Sequence, residues 1–361
     1  MFRKLSIKAS LYTPNFVHYW SDFFGVYPLI RKSLTLRIFV IVLVFVTIAV
    51  IKTIIHENIS PIRHILPILR TYLLLEVFIL LFKNTSLSPQ RLFLYAVLAN
   101  FIVVLIGQID ISMYRTVNNF FNGNQRFVAF GSTVASIVIT ERNSGIFSQP
   151  SSAGVFCLVT VAVLLNYNFK KLFIFIPLIT YVGFLTLSSV FLYGLPILLI
   201  IRLIPNFMLN KLTLFILLLT PLFLTMAIAV IFMQNQNSFI LYALGGGRFV
   251  SESNFMYQFV SMNFTEFLFG IDLEKINKGL GDSSVITKIF LGGFSFYILY
   301  FYCIFIYATK IINWNDFKQK RLSFSVLSVM SAADLGFTAF SQPGLYMAVF
   351  LPLFFGKYNE K

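Results

Sequence analysis

Two arginines stand in settings that suit an anion. Arg142 lies in ERNSGIFSQPSSAG, residues 141–154, among small polar residues and a proline. Arg248 follows three glycines in LGGGRFVSESN, residues 244–254. A guanidinium is a planar fork of donors that keeps its charge, and it matches two oxygens of a phosphate. Gly246 and Gly247 beside Arg248 let backbone N–H groups approach the same anion, because no Cβ intervenes. The plainer role for each arginine is contact with lipid headgroups, or a surface ion pair with Glu141 or Glu252. Other chemistries are excluded more firmly. No Lys-Ser or Lys-Thr follows the glycines, so this is not a P-loop. His18, His56 and His64 lack carboxylates at ligand spacing, and Cys157 and Cys303 are too few for a zinc site, so neither a metal nor a cofactor is expected. Ser151 and Ser152 have no histidine near them in sequence, which argues against a serine triad.

Whatever positions these residues is apolar. Of 361 residues, 58% are hydrophobic and 11% charged, and 44 are phenylalanine; a soluble domain carries about a quarter charged residues. Several runs reach the roughly 20 apolar residues that cross a bilayer. Backbone polar groups in lipid must be satisfied within the segment, so the spans are helices. The chain is expected to be an all-α integral membrane protein forming a single polytopic membrane domain over 1–361. Ten transmembrane helices are predicted near 34–55, 65–82, 92–109, 153–169, 172–188, 189–204, 212–233, 285–309, 323–340 and 344–356, the 172–204 stretch being open to drawing as one broken hairpin or two short helices. The net charge of +15 does not indicate nucleic acid, because the basic residues form short clusters beside apolar runs. Arg31, Lys32 and Arg37, then Lys83 and Arg91, Lys170 and Lys171, Arg202 and Lys211, and Lys310, Lys318, Lys320 and Arg321 all fall in the cytoplasm if both termini do. Two larger external (periplasmic) loops then remain, 110–152 and 234–284, and both carry enough Phe, Tyr, Ile and Leu to fold against the membrane face. Arg3, Lys4 and Lys8 precede no early apolar run, so no cleavable signal peptide is expected. Residues 11–30 look like an aromatic interfacial stretch. Inside the spans, Glu76 and Asp334 are intramembrane acids of the kind that mark function. Asp334, in SAADLGF, sits among small residues that favour helix contact, where a hydrogen-bonded packing role competes with a functional one. Arg70 and Lys288 are expected to snorkel to the outer face.

Taken in order, several pieces resemble a known family. Arg142, Ser144, Gly145, Phe147 and Pro150 form an R-x-S-G-x-F-x-x-P element opening a span. The hairpin GFLTLSSVFLYGLPILL, residues 183–199, follows, then GGGRF and GDSSVITKIFLGGFSFYILY. This order, over about 140–305, resembles the bacterial O-antigen and capsular polysaccharide polymerases of Wzy type, whose superfamily also contains the O-antigen ligases. Ser189 stands where that family often has arginine, so a third basic contact is missing. The resemblance implies a metal-independent glycosyltransferase of the inner membrane, acting on oligosaccharides linked to undecaprenyl pyrophosphate in lipopolysaccharide or capsule biosynthesis. Membrane lipids, a chain-length regulator and a flippase are the partners it implies. Arg142 and Arg248 would meet the diphosphate, with Arg126, Gly145, Gly246, Gly247 and Asp334 as further binding positions. Glu141, Glu252 and Asp282 are the candidate general bases. Ligases of the superfamily carry an important histidine in the large external loop; 234–284 contains none, which favours a polymerase. A multi-pass transporter or lipid-linked glycan flippase remains the alternative from another class, although no internal repeat is evident.

Overall fold

A computed structural model describes residues 36–56, 77, 79, 81–82, 88–110, 112–114, 116–117, 144–147, 150–166, 175–186, 188–235, 254–271, 283–335 and 343–355. The described residues are mostly helical and contain no strand. The helices are α1 (Leu36–His56), α2 (Pro89–Ile109), α3 (Pro150–Asn166), α4 (Phe175–Leu185), α5 (Ser189–Leu203), α6 (Lys211–Gln234), α7 (Asn254–Val260), α8 (Phe264–Phe269), α9 (Ser284–Ile311), α10 (Phe317–Asp334) and α11 (Pro343–Phe350). A 3-10 turn, Leu351–Phe354, follows α11. By length and composition, α2, α6 and α9 are long and apolar enough to cross a membrane.

Local sequence explains where several helices start. Pro89 and Pro150 open α2 and α3, where a proline loses no hydrogen bond and its φ is already helical. Asn210 caps α6 by accepting from the backbone N–H of Thr213 at 2.9 Å. Asp316 caps α10 through the N–H groups of Lys318 (2.9 Å) and Gln319 (3.3 Å). Within the expected 172–204 region, Phe175–Leu185 and Ser189–Leu203 form two short helices of 11 and 15 residues. The stretch expected at 323–340 is instead a helix from Phe317 that ends at Asp334, because the Asp316 cap sets its start earlier.

Two helices form the centre. α3 packs against α4, α5, α10 and α11, and α10 packs against α3, α5 and α6. Close approach of α3 and α5 depends on missing side chains: a Cβ on Gly154 would stand 2.8 Å from Ser188 Cβ. α10 is nearly all buried although it carries Ser323, Ser325, Ser328 and Ser331. Ser325 and Ser328 return their hydroxyls to the backbone oxygens of Arg321 (3.0 Å) and Phe324 (2.7 Å). A helix surrounded by helices need not be as greasy as one facing lipid, which is why α10 is polar by composition yet central.

Contacts between helix ends divide the bundle into two poles. At one, Arg202 donates to Leu165 O (2.7 Å) and Arg321 to Ile204 O (3.0 Å). There Gln319 donates to Leu353 O (2.8 Å) and accepts from Asn313 N–H (3.0 Å). The rings of Phe82 and Phe93 meet those of Phe354 (5.1 Å) and Phe355 (5.9 Å) at this same pole. The start of α2, the ends of α3, α5 and α9, the starts of α6 and α10 and the C-terminal turn therefore share one end, and most basic clusters among the described residues go with them. At the other pole lie the start of α3, the α4–α5 turn, α7, α8 and the start of α9.

Candidate functional site

The second pole is built around a break in α9. Gly293 has φ 78° and ψ 179°, a region that essentially only glycine occupies, and it divides the helix in two. A Cβ there would collide with the backbone oxygen of Leu268. The end of α8 lies against the break, turning at Gly270 (φ 86°). Ile271 N–H donates to Phe290 O at 3.0 Å, and Ser295 Oγ donates to Leu268 O at 2.7 Å. Interrupting a helical ladder deprives the preceding carbonyls of their usual donors, and in an apolar interior each such loss is costly. Lys52 of α1 supplies a second answer: its ammonium, 2% exposed, donates to Phe290 O at 2.6 Å and also to Leu291 O. A charge in the apolar α1 thus serves as a hydrogen-bond source for another helix.

The short first half of α9 carries Ser284 and Lys288 one turn apart, on one face. Lys288 Nζ donates to Asp334 Oδ2 (2.8 Å), to Asp334 Oδ1 (3.1 Å) and to Ser284 Oγ. The two charged side chains are 1% and 0% exposed. Lys288 also sits 4.6 Å from the ring centroid of Tyr300, a cation–π distance. The expectation that Lys288 snorkels to the outer face is corrected: a buried carboxylate holds it inward, and a paired ammonium has no reason to seek water. The buried hydroxyls of Ser283, Tyr297 and Ser331 make no hydrogen bond among the described residues. A cation, a carboxylate and hydroxyls with spare capacity can hold a sugar hydroxyl, pass a proton or carry an ion, once the helices part.

Nearby in the chain's logic is the turn 144–147, which leads into α3. Tyr114 Oη lies 2.8 Å from Ser144 Oγ and accepts from Ser144 N–H at 3.0 Å. Ile146 N–H donates to Asn100 Oδ1 at 3.2 Å, and Asn100 is 3% exposed. Asn100 lies near the middle of the 21-residue α2, so the turn enters the bundle instead of resting on its surface. Gly145 has φ 56°, and a Cβ would collide with the Asn100 amide. Phe147 anchors the turn, its ring 5.1 Å from that of Phe156 in α3.

Of the ten candidate catalytic and binding residues, two lie among those described. Gly145 turns against Asn100, and Asp334 ion-pairs with Lys288. Arg126, Glu141, Arg142, Gly246, Gly247, Arg248, Glu252 and Asp282 lie outside the described residues, as do Arg70 and Glu76. Sequence reasoning passed over Lys52 and Asn100 and misread Lys288. The signal was available, since each is a polar group within an apolar run, but its partner was not. No protein-family model matches this chain, and neither a curated protein nor a solved structure does.

Proposed function

We propose that the chain is a polysaccharide repeat-unit polymerase of Wzy type in a bacterial cytoplasmic membrane, with both termini inside. It transfers a growing O-antigen or capsule chain from undecaprenyl pyrophosphate to a lipid-linked repeat unit at the outer face. The observation that carries this reading is the buried 144–147 turn beside Asn100, two residues after Arg142, within the ordered motifs that resemble this family. The place of this turn inside the bundle supports a binding role for the arginine that stands two residues before it. In the reaction, an acceptor hydroxyl oxygen attacks the anomeric carbon and its proton passes to Glu141, Glu252 or Asp282. The bond from that carbon to the pyrophosphate oxygen breaks, and the electron pair leaves with the diphosphate. Arg142 and Arg248 stabilise the charge that develops there, with Arg126, Gly145, Gly246 and Gly247 completing the binding surface. Asp334, through Lys288, fixes the first turn of α9 directly after Asp282 and Ser283.

A second reading, a transporter or lipid-linked glycan flippase, is favoured by one observation. Helices broken near buried charges are characteristic of transporter binding sites, and α9 is broken at Gly293. The glycan ladder of cells lacking the gene, complemented with wild type, Arg142→Ala or Arg248→Ala, separates the two. Polymerisation predicts a single repeat unit after deletion, and a loss of roughly a hundredfold in chain extension for either variant at equal membrane expression. Long chains surviving deletion would remove the polymerase reading, and repeat units trapped on the inner leaflet would replace it with transport.

A further inference from the structure

We infer that the basic pole of the bundle holds the phosphate of an anionic membrane lipid between Arg202 of α5 and Arg321 of α10. This site is independent of the glycosyl-transfer reading and lies at the opposite pole from it. Arg321 is fixed in place: one Nη2 donates to Ile204 O and to Asn206 Oδ1, both at 3.0 Å, while its guanidinium carbon sits 4.4 Å over the Phe317 ring. Arg202, two residues before Ile204, is held by Leu165 O at 2.7 Å. The two arginines share one corner of the fold, because Arg321 donates to the carbonyl at the end of α5, two residues after Arg202. Neither makes an ion pair with a described carboxylate; Asp316, before α10, accepts through Oδ1 from the N–H groups of Lys318 and Gln319. The Nε–H of Arg321 is buried and finds no acceptor among the described residues. Lys211 at the start of α6 and Lys318 and Lys320 in the first turn of α10 add positive charge at the same pole.

Like charges held by neutral acceptors call for an anion with several oxygens; Nη1 of Arg321 and the Nε–Nη2 edge of Arg202 are the N–H groups left to meet a phosphate. The rim argues for a lipid as its source. Leu203, Phe207 and Leu212 are exposed beside the arginines, where acyl chains would cover them while the headgroup meets the charges.

The test uses the full chain in phosphatidylcholine vesicles with trace spin-labelled phosphatidylglycerol or spin-labelled phosphatidylcholine, reading the motionally restricted fraction. The wild type is expected to restrict phosphatidylglycerol several-fold more than phosphatidylcholine. Arg202→Gln and Arg321→Gln should each lower that preference about fivefold, the effect of one cation near an anionic headgroup. Should Arg321→Gln fail to fold, Arg202→Gln decides, since it leaves both Arg321 hydrogen bonds in place. Equal restriction of the two lipids by the wild type would overturn the inference, as would an unchanged preference in a folded Arg202→Gln protein. Displacement of the lipid by millimolar inorganic phosphate would show a soluble-anion site and overturn it too.

Discussion

At the scale of single residues, the Lys288–Asp334 pair is the feature whose energetics can be separated from its use. Two opposite charges out of water hold each other only while both are present; removing one leaves the other buried and uncompensated. Lys288→Met and Asp334→Leu are each expected to destabilise the protein by about 3–5 kcal/mol, whereas the double variant regains most of that loss. Thermal unfolding of the detergent-solubilised protein, followed by fluorescence size-exclusion, reads both. The double variant also tests function. A stable double variant that still makes a full glycan ladder would mean that the pair serves packing alone. A stable one without a ladder would place Asp334 with the substrate machinery. The acid itself was legible in the sequence, standing among the small residues of SAADLGF. Its partner was not, because 46 residues separate the two and only the packing of α9 beside α10 joins them.

At the scale of elements, the start of α3 was readable, whereas the start of α10 and the break in α9 were not. Pro150 was expected to begin α3 and does, since a proline at the first helical position is a local effect. The break in α9 depends on a distant segment. Two glycines in LGGF weaken a helix, but the chain that fills the gap comes from Leu268–Ile271, and the ammonium that satisfies the carbonyls comes from Lys52, more than 200 residues away. That dependence makes an ordering testable. Gly293→Ala meets backbone at Leu268, which cannot swing aside, and forces alanine into a glycine-only region; it is expected to cost at least about 3 kcal/mol. Gly145→Ala meets the end of the Asn100 side chain, which can rotate, so its cost should be nearer about 1–2 kcal/mol. Lys52→Met should fall between them, because it strips one donor set from buried carbonyls while Ile271 still serves Phe290 O. Unfolding midpoints of the three variants check the order, and a Gly293→Ala protein as stable as wild type would mean that the break is not required.

At the scale of the whole molecule, the charge pattern was the most readable property of the sequence, because it needs no knowledge of partners. Clusters at Arg202 and Lys211 and at Lys310 to Arg321 were assigned to one side on the positive-inside rule, and the contacts of Arg202 with Leu165 and of Arg321 with Ile204 bring them to one pole. The Phe93–Phe355 contact adds the start of α2 and the end of the described chain to that pole. What charge alone could not reveal is that the pole closes on itself, each helix end hydrogen-bonded by an arginine of a neighbouring helix. The membrane sidedness of the two poles can be read with thiols, since Cys157 and Cys303 are both buried and contribute little background. Asn206→Cys and Asn315→Cys place exposed thiols at the basic pole, and Ser112→Cys and Ser261→Cys place them at the other. A membrane-impermeant maleimide added outside the expressing cell's cytoplasmic membrane should label the second pair and spare the first until the membrane is opened. Labelling of Asn315→Cys from outside would invert the orientation. Arg202 and Arg321 would then face the outer leaflet, and the inserted 144–147 turn would face the cytoplasm, where no lipid-linked chain is extended by an outer-face polymerase. That result would remove the proposed function while leaving the buried pair, the broken helix and their energetic tests untouched.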